Sequence, residues 1–121
     1  MNIEEIKSID KEFLMSFISR GSSFSILTSP IYSSKIEYCV TVANNTNVFE
    51  ANKFTRISMI KPKYLDSEFI LSQQEKEEFI KLISDNWNFI ISETNEVLER
   101  EGEKLITNIT IPDYTKLPER L

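Results

Sequence analysis

A chain of 121 residues, 40% hydrophobic and 27% charged, has the length and composition of one globular domain spanning 1–121. No apolar run approaches the roughly 18 residues that a membrane-spanning helix needs, and the acids in MNIEEIKSIDKEF leave no apolar core for a secretory signal. The absence of histidine removes the commonest general base and metal ligand, and the single Cys39 excludes an internal disulfide and a cysteine zinc site, so the cytoplasm is the expected location.

Residues 2–19 predict a helix, because Ile3, Ile6, Phe13, Leu14, Phe17 and Ile18 recur three and four apart, and Gly21 offers a stop. Residues 22–29 predict a strand with Phe24, Ile26 and Thr28 on one face, ended by Pro30. KIEYCVTV, residues 35–42, is the clearest strand: Ile36, Tyr38, Val40 and Val42 point one way, Glu37, Cys39 and Thr41 the other. Asn44-Asn45-Thr46-Asn47 predicts a turn, since asparagine tolerates left-handed backbone and bonds to its own chain. Residues 53–61 predict a third strand, with Phe54, Arg56, Ser58 and Ile60 on one face and Thr55, Ile57 and Met59 on the other, closed by Pro62. The links are too short for helical crossovers, so the three strands form an antiparallel meander.

From Ser72 the period becomes helical. Ser72 and Glu75 fit a capping box, and Phe79, Ile80, Ile83, Trp87, Ile90, Ile91, Thr94, Val97 and Leu98 form one apolar stripe, uninterrupted until Gly102. Glu77 to Lys81 and Glu96 to Arg100 are favourable pairs four residues apart. Residues 104–111 alternate again through Leu105, Thr107, Ile109 and Ile111, which predicts a fourth strand. Pro112 stops it, and Tyr114 and Leu117 are expected to fold back over the end of the core, with Pro118 restricting the tail. The expected architecture is α+β: an N-terminal helix, a three-stranded meander, one long amphipathic helix across the sheet, a short C-terminal strand and an ordered tail.

The net charge of −5 is unevenly placed. Residues 72–101 hold eight acids and three bases, whereas the rest of the chain is neutral; residues 53–63 hold four bases and no acid. The acidic helix makes Glu93, Glu96 and Glu99, with Tyr114 of the tail, candidates for contact with a protein partner, because a charged rigid surface gives fast association. The alternative is a nucleic-acid surface made by Lys53, Arg56, Lys61 and Lys63, with Tyr32, Tyr38 and Tyr64 for stacking; the negative total charge opposes it. Carboxylate pairs along the helix are a conceivable Mg²⁺ or Ca²⁺ site, but nothing else in the sequence converges on them. No catalytic residue, cofactor or metal is therefore expected. Asn44 and Asn108 begin glycosylation patterns that have no meaning without a secretory signal.

The second half of the chain carries a resemblance. It combines a strand ending ISMIKPKYL, a helix opening LSQQEKEEFIKLI, the run NWNFIISETNEV and the tail IPDYTKLP. In Pro62, Trp87, Ile90, Ile91, Asn95, Pro112, Asp113, Tyr114 and Leu117 it resembles small Firmicutes proteins linked to prophages and mobile elements. The resemblance covers residues 57–118 and leaves the first half untouched. That family has no assigned activity, so no functional residue carries over. It implies a mobile-element accessory, and the bias of 17 Ile against 2 Ala and 2 Gly fits an AT-rich coding sequence. The resulting expectation is a small non-enzymatic protein that acts by protein–protein binding, of inhibitor, immunity or anti-defence type, with its oligomeric state open and a dimer included.

Overall fold

Alternating β-branched and aromatic residues build a sheet, and a helical period of apolar residues builds its cover. The structure, a computed structural model, describes residues 16–18, 24–28, 38–47, 50–100, 102, 104–107 and 109–120. Among them are five antiparallel strands that neighbour one another in chain order: β1 (Ser16–Ile18), β2 (Ser25–Thr28), β3 (Cys39–Ala43), β4 (Phe54–Ser58) and β5 (Tyr64–Ser67). One long helix, α1 (Gln73–Arg100), and a 3-10 turn, η1 (Tyr114–Lys116), follow. The fold is thus α+β, with one strand added on each side of the expected three-stranded meander.

Both added strands fall where the sequence pattern misleads. Of the helix predicted over 2–19, residues 2–15 and 19 lie outside the described residues, but Ser16–Ile18 form β1 and pair with β2, Phe17 opposite Leu27. A β-branched or aromatic residue is a weak helix former, and sheet pairing overrides its local spacing. β5 comes after a tight connection in which Ser58 Oγ accepts the N–H groups of Ile60 and Lys61 and Ser58 N–H donates to Lys63 O. β5 carries one extra residue against β4, since Thr55 faces Ser67 and Ile57 faces Tyr64. Such a bulge breaks the alternation that marks a strand in sequence.

The register of β3 on β4, Val40 opposite Ile57 and Thr41 opposite Arg56, sorts the residues into two faces. Val40, Val42 and Ile57 join Phe24, Ile26 and Met59 in the core under α1, packed with Phe79, Leu82, Ile83, Ile90 and Leu98. The opposite face, with Cys39, Thr41, Ala43, Phe54, Arg56 and Ser58, is also buried. Both central strands are therefore withdrawn from water on both sides.

The 28 residues of α1 make a helix about 42 Å long. Its start is the predicted capping box: Glu75 N–H donates to Ser72 Oγ at 3.1 Å, and Ser72 N–H donates to Glu75 Oε1 at 2.9 Å. Gly102 ends it in the left-handed region at φ 70°, with its N–H on Glu99 O. No helix among the described residues is long and apolar enough to cross a membrane.

The predicted strand at 104–111 is not one: none of its described residues belongs to a strand. Ile106 is buried between exposed Leu105 and Thr107, whereas Ile109 and Ile111 are the half-buried residues three and five positions on, so the inward phase shifts midway. A strand keeps one face throughout. The backbone partners come instead from helix side chains. The Asn95 amide accepts from Ile106 N–H at 2.8 Å and donates to Ile106 O at 3.0 Å, as a neighbouring strand would. Trp87 Nε1–H donates to Ile109 O at 3.1 Å.

The tail does close over the core. Asp113 caps η1, Tyr114 and Leu117 are buried, and the Tyr114 hydroxyl donates to Ser58 O at the end of β4. The Tyr114 ring meets Phe79 edge-on, with centroids 5.0 Å apart. Lys76 Nζ donates to Leu117 O at 3.1 Å and ties the tail to the first turns of α1.

Candidate functional site

The packing of α1 decides which of its residues a partner can reach. One side lies on the sheet through Phe79, Ile83, Ile90, Thr94 and Leu98. A second side carries the return segment, held by Asn95 and Trp87, and the first turns carry the tail on Lys76 and Phe79. The face that remains presents Lys81, Ser84, Asp85, Asn88, Phe89, Ser92, Glu96 and Glu99, all exposed.

Glu96 and Glu99 stand on this face, and Glu93 is half-buried at its margin. Spaced three apart, the three carboxylates form a slanted ridge, with Glu93 and Glu99 turned about 120° from each other around the axis. A straighter strip runs through Asp85, Phe89, Glu93 and Glu96, because residues four and seven apart share a face. Phe89 is the member that sequence reasoning missed. It is 43% exposed, one of three large hydrophobic side chains so placed among the described residues, with Ile60 and Leu105. Its signal was present in the sequence as a bulky apolar residue out of phase with the stripe through Ile83, Trp87 and Ile90.

Tyr114 is not on this face. It is 2% exposed, with its hydroxyl engaged on the backbone of β4, and its role is to fasten the tail.

The basic stretch does not gather into one patch. Arg56 is 8% exposed on the sheet face opposite α1. Lys53 lies before β4, beside the Asn44–Asn52 side-chain bond, whereas Lys61 and Lys63 follow its far end. Five strand residues place the two groups roughly 16 Å apart. Of the aromatics, Tyr38 and Tyr64 pack against the core, and Tyr32 lies outside the described residues. Tyr64 accepts the Leu71 N–H through its phenol oxygen; burial pushes its pKa up.

A cleft of about 320 Å³ opens at the N-terminus of α1, lined by Ile70, Leu71, Gln73, Glu75, Lys76 and Glu119. Glu75 is committed to the capping box and Lys76 to Leu117 O, so two of its three charged groups serve the fold. No three carboxylate or thiol groups converge on a metal-sized site among the described residues. Asn44 of the first glycosylation pattern holds the β3–β4 connection, donating to Asn52 Oδ1 and accepting from Asn52 and Lys53 N–H.

Comparison with known proteins brings no match: no family model, no curated protein and no solved structure matches the chain. The outer face of α1 is therefore read from its own chemistry.

Proposed function

We propose that this chain is a small, non-enzymatic, cytoplasmic accessory protein that acts by binding another protein through the outer face of α1. In kind it belongs with the inhibitor, immunity or anti-defence proteins of phages and mobile elements. The observation that carries the reading is Phe89, an aromatic ring left in water in the middle of an acidic strip on a rigid helix. An isolated exposed apolar residue is ordinary on a protein surface, but an aromatic ring rimmed by charges is the make-up of an interface. The helix is held along two sides and at its first turns, so the face is preorganised and a partner gains its contacts without ordering it. The nucleic-acid alternative has less support, because Arg56 is buried and the exposed lysines are divided between the two ends of β4.

The test is co-purification from the native host, identification of what is retained, and titration of the purified pair. Glu93→Lys/Glu96→Lys is expected to weaken that binding by tenfold or more, since two favourable charge contacts become repulsive. Equal binding of the reversed protein would remove this face from the function.

A further inference from the structure

We draw no further inference here: the strongest candidate, the cleft at the N-terminus of α1 between Leu71, Lys76 and Glu119, is a helix N-terminus whose buried ammonium group is already held by Leu117 O, and nothing else among the described residues points to a ligand there.

Discussion

Residues 39–43 and residues 104–111 are both rich in β-branched residues and both read as strands with two distinct faces, and they end in different states. The first segment is β3, hydrogen-bonded on both edges and buried on both faces. The second lies alongside α1, none of its described residues is in a strand, and it takes hydrogen bonds from an asparagine and a tryptophan. Alternation says that a segment has an inside and an outside; it does not say what satisfies its backbone. A buried N–H or C=O needs a partner, and a side-chain amide aimed from a helix serves as well as a strand edge.

The largest effect expected from this comparison is in the paired region. Ile57→Ala in β4 deletes a side chain with no exposure, in the layer between sheet and helix, and should cost about 2–5 kcal/mol in denaturant unfolding. A loss under about 1 kcal/mol would mean that the sheet core relaxes around the gap instead of being close-packed.

Asn95→Ala comes next and tests the helix-held region. It leaves both backbone groups of Ile106, a residue 5% exposed, without partners, and should cost about 1–3 kcal/mol with faster amide exchange at Ile106. Asn95→Asp keeps the acceptor for Ile106 N–H but sets a carboxylate against Ile106 O, so it should be no better than alanine. Wild-type stability in the aspartate variant would show that the return segment does not depend on this amide.

Tyr114→Phe joins the two regions, because the hydroxyl of the tail satisfies a carbonyl of β4. The ring contact with Phe79 survives and one hydrogen bond is lost, so the expected cost is about 1 kcal/mol. A melting temperature equal to wild type would show that the hydroxyl contributes nothing to fastening the tail.

The smallest effect lies at the surface. The Thr115 hydroxyl, followed in weight by the opposing desolvation and then by the Thr115 N–H and Lys116, holds the Asp113 carboxyl below its ordinary value. The folded pKa is depressed, so the stabilisation is present above the ordinary carboxylate value and is lost as pH falls through the depressed one. Thr115→Ala should move the NMR titration of Asp113 upward and leave stability at neutral pH nearly unchanged. An unmoved titration would assign the shift to the backbone and to Lys116.

Legibility followed the range of the interactions involved. The capping box, the apolar stripe of α1 and the face assignment of β4 depend on residues a few positions apart, and all three appear as expected. The folding back of Tyr114 and Leu117 was legible too, because two prolines and two large apolar side chains leave a short tail few other uses. β1 was hidden by apolar residues at helical spacing, and β5 by a bulge. Glu93, Glu96 and Glu99 were chosen from charge alone, and the structure shows only that Glu96 and Glu99 are exposed and Glu93 is half-buried. Phe89 was passed over because an apolar residue off the stripe has no meaning until the helix is docked. Arg56 and Tyr114 were chosen by residue type, and type does not reveal burial.

The sequence by itself determined the α+β class, the long capped helix, three of the strands and the concentration of negative charge on that helix. These are local or compositional properties, carried by period, capping and charge count. Only the tertiary structure decided that the sheet has two further strands, that the last alternating segment belongs to the helix, and that both faces of β3 and β4 are buried. It alone also decided which side of α1 keeps Phe89 in water between carboxylates. Each of these turns on a pairing between segments distant in the chain, chosen by where buried backbone groups find partners and apolar surface finds cover, which no local pattern encodes.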